Sequence, residues 1–374
     1  MRRLIITSIM IFLLFFVFSP FNLLLAQVDT TKTVTDGNDV DFVVDSLKAL
    51  QAFEKELAES KYNEGVKSIK AKDYNRAVSS FNEATALLPG FSDAIFNRAI
   101  AYNALGKYDE ALDDYSRAIA LKPDAVKYFS RGMLYYNNND TARARHDFAE
   151  AVKLDQYHSN AAFYHGMICF KQQKYDQALT SYSKAIHADP LNAMAFHDRG
   201  SIYRITGDTN AALSDYQKAI TLAPEMYIAW RNIGSLHRAA GDFAEAIASV
   251  RKAINLKPDD ITALHAMAVM HLDIHNYDTV HYYCNVLLNI NPDYPYAYNT
   301  RGCAWYQKEE YSKALQDFDE AIRLKSDYGF AYFNRGNTKE MLRDEKGACS
   351  DWNMALTYGV KSAGAYFDYV CDDR

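Results

Sequence analysis

The chain has 374 residues, of which 49% are hydrophobic and 24% charged, a composition that excludes an intrinsically disordered protein. Its formal net charge is −6 and like charges are not gathered in long blocks, which argues against nucleic-acid binding through bulk electrostatics.

The first 26 residues have the pattern of an export signal. Arg2 and Arg3 form a basic start, residues 4–25 form an apolar stretch, and a candidate cleavage site follows Ala26. The stretch is nearly long enough to cross a bilayer, so an uncleaved membrane anchor is the alternative to a cleaved signal peptide. Both alternatives predict an exported protein, in the periplasm or outside the cell, that meets the membrane only through this segment.

The next segment, residues 27–44, is polar and aperiodic, which predicts a flexible linker. From Asp45 onward, Leu47, Leu50 and Phe53 recur every three or four residues, the period of an amphipathic helix. A folded helical domain is therefore predicted over residues 45–362.

One pattern of about 34 residues then recurs nine times. An aromatic residue is followed by Ala, a second aromatic residue, a second Ala and Pro, as in Tyr108, Ala111, Tyr115, Ala118 and Pro123. The nine units are 58–91, 92–124, 125–158, 159–192, 193–226, 227–260, 261–294, 295–328 and 329–362. A fixed period of this length predicts a stack of similar helical units rather than a single compact core.

Small residues hold fixed positions in these units, counted from the first residue of each. Position 8 is always Gly or Ala, and position 20 is Ala except in the seventh unit, which has Val280. Small side chains let two antiparallel helices approach closely, and neighbouring aromatic rings fill the gaps. Proline ends the second helix of six units, because it cannot continue a helix. These prolines are Pro89, Pro123, Pro190, Pro224, Pro258 and Pro292.

Together these positions resemble the tetratricopeptide repeat family across residues 58–362. The resemblance implies an all-α, right-handed superhelical solenoid of about nine antiparallel helix pairs, with the first helix of each pair lining a concave groove. Terminal repeats of such arrays are atypical. Residues 363–374, which include Tyr366, Phe367 and Tyr369, are accordingly predicted to form a capping helix.

Nine copies of one unit allow a covariation test within the chain. Position 7 is Arg in five units, and position 23 is Asp in those five and in no others. The pairs are Arg98–Asp114, Arg131–Asp147, Arg199–Asp215, Arg301–Asp317 and Arg335–Asp351. Positions that vary together usually touch, and a planar guanidinium suits a bidentate carboxylate contact. The pattern predicts ion pairs between the two helices of a unit; the alternative is that these arginines contact a ligand.

Motifs for catalysis are missing from the sequence, which has no Walker loop, no G-x-S-x-G and no CxxC. The nearest approach to a metal site is His271 and His275, four residues apart on one predicted helix face. A zincin motif would place Glu after the first His, where this chain has Leu272. We therefore predict packed histidines, no metal and no cofactor, with a histidine-based enzyme as an alternative.

Two cysteines near the end of the chain are predicted to pair. Cys349 and Cys371 lie at similar distances on either side of a turn near Gly359, so antiparallel helices could bring them together. In an oxidising compartment the pair would form a disulfide that locks the cap.

By the family resemblance, positions 2, 5, 6, 9, 12 and 13 of the first helices face the groove, and three sets of residues there are predicted to bind a peptide. Amides at position 6 can both donate to and accept from a peptide backbone, and they belong to Asn63, Asn97, Asn232 and Asn334. An aromatic stripe at position 5 includes Phe96, Phe129 and Phe163. A basic patch contains Arg204, Arg231 and Arg238. The alternatives are a stripe packed on neighbouring helices and a patch that is merely solvated.

These observations favour a non-catalytic protein–protein interaction scaffold of the cell envelope. It would bind a peptide segment of a partner protein in the groove, and the basic patch favours an acidic peptide. A small-ligand or glycan receptor that uses the groove aromatics is the alternative function.

Overall fold

The computed structural model describes residues 37–371. The predicted signal segment, residues 1–26, lies outside the described residues, and so does the predicted linker up to residue 36. Across residues 37–371, no helix is both long enough and apolar enough to span a membrane.

All secondary structure in this range is helical, which confirms the prediction of an all-α fold. The nineteen helices of residues 37–371 are α1 Gly37–Lys70, α2 Tyr74–Leu87, α3 Ser92–Ala104, α4 Tyr108–Leu121, α5 Ala125–Asn137, α6 Thr141–Leu154, α7 Ser159–Lys171, α8 Tyr175–Ala188, α9 Ala193–Thr206, α10 Thr209–Leu222, α11 Tyr227–Ala240, α12 Phe243–Leu256, α13 Ile261–Asp273, α14 Tyr277–Ile290, α15 Pro295–Gln307, α16 Tyr311–Leu324, α17 Gly329–Met341, α18 Glu345–Thr357 and α19 Ala363–Cys371. From the second repeat to the ninth, the first helix begins at the first residue of the unit.

The described residues divide into two compact units, the first ending at Lys122 and the second beginning at Pro123. In the first unit, α1 pairs with α2, α3 pairs with α4, and α2 also packs on α3. In the second unit, the helices from α5 to α18 pair in the same way, and the second helix of each pair packs on the first helix of the next. The last helix, α19, packs on α18. Within each unit, a repeat is therefore a helix pair that covers the apolar side of its neighbour.

The first helix begins earlier than predicted. Residues 37–44, assigned to the linker from their polarity, form the start of α1. The three- and four-residue spacing of apolar residues extends back from Leu47 to Val44 and Val40, so the helical period already covers this segment.

Close packing inside each pair explains the small residue at position 8. A β-carbon on Gly302 would lie 2.7 Å from the ring of Phe318, and one on Gly132 would lie 2.9 Å from the ring of Phe148. Both rings sit at position 24 and are fully buried. A larger side chain at position 8 would force the two helices apart.

The turn inside each repeat has one recurring backbone feature: position 15 is left-handed in all nine repeats. Three of these residues are Gly106, Gly207 and Gly241, for which this conformation carries no steric cost. The other six are Lys72, Asn139, Gln173, His275, Glu309 and Arg343. The left-handed residue ends the first helix and lets the chain reverse into the second.

Candidate functional site: the face of the first helices

An arginine at position 7 of five repeats fixes the first helix against the second. In the eighth repeat, Arg301 Nε and Nη2 donate to the two carboxylate oxygens of Asp317, at 2.9 and 2.6 Å. The other four predicted pairs have the same two-bond geometry, with nitrogen–oxygen distances of 2.7–2.9 Å. All five ion pairs predicted from covariation are confirmed.

Nη1 of four of these arginines reaches back to the preceding repeat. It donates to a side-chain oxygen at position 25 of that repeat, on Asn82, Ser183, Asn285 or Asp319. Such an arginine joins three helices, and we call this contact an arginine clasp. The sequence contained a signal for this contact. Position 25 is Asn, Ser or Asp in every repeat that precedes a repeat with Arg at position 7. In the repeats that precede repeats four, six and seven, which lack this arginine, position 25 is Ala149, Gln217 or Arg251.

The arginine–aspartate pairs are largely hidden from solvent. Their aspartate side chains are 2–9% exposed and their arginine side chains 13–22%. The bond to aspartate is the main cause of a raised pKa for Arg98, Arg131, Arg199 and Arg301. Burial raises the pKa of Asp317 in spite of its arginine partner. Since the donors of these arginines are used within the fold, their role is structural rather than ligand binding.

The position 6 asparagines link adjacent first helices. In three cases the side-chain amide bonds to position 5 of the preceding repeat: Asn97 to Tyr62 at 3.2 Å, Asn232 to His197 at 3.2 Å and Asn334 to Asn299 at 2.9 Å. Asn63, in α1, is exposed. The use of these amides by a peptide stays a prediction, and three of them already serve the contact between repeats.

The aromatic stripe packs inside its own repeats. Each ring lies 5.7 Å, centroid to centroid, from the aromatic residue at position 24: Phe96 from Tyr115, Phe129 from Phe148 and Phe163 from Tyr182. All three phenylalanines are half-buried. The packed alternative therefore accounts for one side of each ring, and only part of the stripe is accessible to a ligand.

The basic patch is partly neutralised by acidic side chains of the chain itself. Arg231 Nη1 lies 2.8 Å from Asp260 Oδ2, and Arg238 Nε lies 2.6 Å from Asp273 Oδ2. Arg204 is exposed and forms no ion pair with a described residue. Asp260 is at position 34 of the sixth repeat and Asp273 at position 13 of the seventh, and each acid occurs at its position in one repeat only. Covariation within the chain therefore could not reveal these two ion pairs.

A row of apolar side chains at position 2 was missed by the sequence reasoning. In the second compact unit, Val126, Met194, Tyr296 and Phe330 are 52, 51, 37 and 59% exposed, and Ile228 is half-buried. We call these five residues the first-helix ridge. Polar residues hold the same position elsewhere, so the apolar choice is specific to these repeats. Exposed apolar rows of this kind usually mark an interaction surface.

The histidines of the seventh repeat face different surroundings. His271 is buried and stacks on Tyr283, whereas exposed His275 bonds to the hydroxyl of Tyr277 at 3.0 Å. Among the described residues, no group of three or more His, Cys, Asp or Glu side chains could hold a metal ion. The two histidines predicted as the nearest approach to a metal site are thus separated by the end of α13, since His275 occupies the left-handed turn position.

The end of the second compact unit is closed by a disulfide between Cys349 and Cys371, whose α-carbons are 5.9 Å apart. It ties α19 to α18, the pairing predicted from the positions of the two residues around Gly359. Beneath it, Trp352 is fully buried and Phe367 packs against the same cluster. The last helix therefore covers the apolar surface of the ninth repeat.

Sequence models of the tetratricopeptide repeat match residues 92–124, 129–193, 197–261 and 295–328. The chain is 31% identical over 99 residues to the small glutamine-rich tetratricopeptide repeat-containing protein 2 of Mycosarcoma maydis, a match that covers 26% of this chain and 28% of that protein. It is 30% identical over 128 residues to the Hsp70-Hsp90 organizing protein 3 of Arabidopsis thaliana, covering 34% of this chain and 22% of that protein. The chain thus matches about a quarter of the length of these relatives.

Among solved structures, a tetratricopeptide repeat protein from Parabacteroides merdae superposes with a TM-score of 0.52 at 20% identity, covering 65% of this chain and 97% of that one. At this identity the likeness concerns the fold alone. Repeats of this kind generally form protein–protein interaction scaffolds without catalytic activity. The repeated sequence pattern, the helix pairs and these matches agree, and the chain belongs to the tetratricopeptide repeat family.

Proposed function

We propose that the chain is a non-catalytic scaffold that binds a peptide segment of a partner protein along the face of its first helices. The first-helix ridge carries this proposal, because it places accessible apolar side chains on that face. Met194 and Ile228 belong to successive repeats, and so do Tyr296 and Phe330, so each pair offers two neighbouring contacts. A peptide with apolar side chains would remove this surface from water, at about 25 cal/mol per Å² of apolar area.

Polar contacts beside the ridge would orient the peptide. Arg204 is the one arginine of the basic patch without an acid partner among the described residues, so an acidic residue of the peptide would meet it there. The second amide hydrogen and the oxygen of Asn232 would be available to a peptide backbone. We favour a peptide over a glycan because each ring of the aromatic stripe has one side packed against another ring.

Export through residues 1–26 belongs to the same proposal, since that segment has the pattern of a signal. Fractionation of cells and sequencing of the mature N-terminus would test it. Recovery of the intact chain from the cytosol would contradict export.

The ridge is tested with a peptide selected from a displayed library on the purified chain. Met194→Glu and Phe330→Glu should each weaken its binding by about tenfold or more, since a charge would replace an apolar contact. Leu154→Glu is the matched control, because Leu154 is a similarly exposed apolar residue, 49% exposed, on a second helix. Equal affinities of all three variants, measured by calorimetry, would move the binding site away from the ridge.

A further inference from the structure

Two pairs of aromatic residues stand at the start of the first helices of the eighth and ninth repeats. Tyr294 and Tyr296 form the first pair, at the N-terminus of α15. Tyr328 and Phe330 form the second, at the N-terminus of α17. We call these pairs the aromatic dyads. At the other six junctions, the last residue of a repeat and the second residue of the next are not both aromatic, so the feature is specific to two successive repeats of the first-helix ridge.

The rings of the dyads belong to one continuous cluster. The ring centroid of Tyr296 lies 5.3 Å from that of Tyr294 and 5.1 Å from that of Tyr328. His265, on α13, extends the cluster, with its ring 5.4 Å from that of Tyr294. Neighbouring rings are inclined by 64–78°, so the edge of one ring meets the face of the next. Rings at such angles leave notches between them rather than a flat platform.

The cluster is accessible and has hydrogen-bond donors to offer. Tyr296 is 37% exposed and Phe330 is 59% exposed. Tyr294 and Tyr328 are half-buried. The hydroxyl groups of the three tyrosines have no hydrogen-bond partner among residues 37–371. The dyads therefore combine ring faces with hydroxyl donors that the fold does not use.

Charge plays little part beside the dyads. Lys325 and Asp327, just before the second dyad, pair with each other at 2.6 Å. Asp293, next to the first dyad, is exposed to solvent, which hydrates its charge. A bound segment would therefore meet ring faces and hydroxyls first, and this favours an uncharged segment.

We propose that the aromatic dyads bind a proline-rich segment of a partner protein in the polyproline II conformation, an inference that rests on the proposed function and names its partner class. This conformation has no internal hydrogen bonds, so its carbonyl groups can accept from the tyrosine hydroxyls. A bound α-helix would already use its carbonyls internally. Proline rings dock between aromatic side chains, whereas a glycan would need the flat platform that these inclined rings do not form.

The spacing of the repeats matches this conformation. Helices α15 and α17 contact each other directly, and packed helices lie about 8–10 Å apart. Tyr296 and Phe330 hold the same position of these two helices, so a similar distance separates them. Three residues of polyproline II rise about 9.3 Å, so prolines three residues apart would reach both dyads. A β-strand repeats one face about every 6.6 Å and would not.

Calorimetric titration of the full chain with acetyl-nonaproline amide tests the site, since this peptide is uncharged and forms about three turns of polyproline II. The unaltered chain should bind it and should not bind a nine-residue Gly-Ser peptide. Tyr296→Ala and Phe330→Ala should each lower the affinity at least about tenfold, because each removes a ring contact. Tyr296→Phe, which removes the hydroxyl alone, should lower it by about threefold.

Tyr282→Ala is the matched control, because Tyr282 is 62% exposed on α14, a second helix, and this variant should bind as the unaltered chain does. If nonaproline does not bind while the library-selected peptide still does, this inference is overturned and the proposed function stands. Failure of both peptides would overturn the two together. Unchanged affinity of Tyr296→Ala and Phe330→Ala for nonaproline would also overturn the inference. So would binding of a glucose oligomer at Tyr296 in place of nonaproline, which would assign the dyads to a glycan.

Discussion

At the scale of residues, the arginine clasp shows how one side chain can serve three helices. Arg301 donates two hydrogen bonds to Asp317 and a third to Asn285. It therefore fixes the two helices of its own repeat and also the contact, or seam, with the preceding repeat. Breaking a largely buried ion pair from one side leaves the other charge without compensation, which costs more than replacing both partners.

Removal of one clasp acid should destabilise the second compact unit. Asp317→Ala leaves Arg301, only 22% exposed, without its carboxylate, and the free energy of unfolding should fall by about 3 kcal/mol. Urea denaturation followed by circular dichroism measures the change.

The chain supplies the control for this change. The sixth repeat has Ile233 and Ser249 at the two clasp positions, so the double change Arg301→Ile and Asp317→Ser copies a natural repeat. It should cost less than Asp317→Ala alone, because no unpaired charge remains. A double variant that is less stable than the single one would contradict this account.

Repetition decided which residue contacts could be predicted from the sequence. The arginine–aspartate pairs occur five times, so they could be recognised within a single chain. The contacts of Arg231 with Asp260 and of Arg238 with Asp273 occur once each, and a single occurrence cannot covary. The ridge was missed for another reason: exposure is a property of packing, and an apolar residue at position 2 reads in the sequence like any other helix residue.

At the scale of elements, the last helix depends on its attachment. Helix α19 has nine residues, too few to be stable alone, and it holds its place through the disulfide and its contact with the cluster around Trp352. The first helices of repeats two to nine could be placed from the sequence because turns and prolines recur. The start of α1 could not, because residues 37–57 do not follow the repeat pattern.

Loss of the disulfide should loosen this helix selectively. With Cys371→Ser, amide hydrogen exchange across residues 363–371 should accelerate by about a hundredfold, because the tether that limits local opening is gone. Exchange in α5 to α16 should stay as it is. Cys303→Ser is the control, since Cys303 is a free cysteine in the same compact unit. Unchanged exchange in α19 of the Cys371→Ser variant would show that packing alone holds the cap.

At the scale of the whole molecule, half-buried histidines make the second compact unit sensitive to acid. Burial lowers the pKa of His165, His265 and His281 to about 4 in each case, compared with about 6.5 when unfolded. The unfolded chain therefore takes up more protons than the folded one between these values. Stability is fully present above about pH 6.5 and is lost as the pH falls towards 4.

This acid sensitivity can be measured by urea denaturation at pH 7, 5.5 and 4.5. His281→Leu should make stability depend less steeply on pH, because it removes one proton from the difference between the two states. Leucine is the residue of several other repeats at this position, and neither ring nitrogen of His281 has a partner among the described residues. The exposed His187→Gln should leave the slope unchanged. An identical slope for His281→Leu and the unaltered chain would contradict the assignment.

The clasps are placed unevenly along the second compact unit, and its resistance to stretching should therefore vary along its length. Repeats four, six and seven lack the position 7 arginine, so the seams between them and the preceding repeats have no clasp, whereas the seams before repeats five, eight and nine are clasped. The unclasped seams before repeats six and seven keep single polar contacts, Asn232 with His197 and Arg238 with Asp273. A pull on the two ends of this unit would be resisted unequally along its length. It would extend first at the three unclasped seams, with repeats four and five travelling as one block and repeats seven to nine as another.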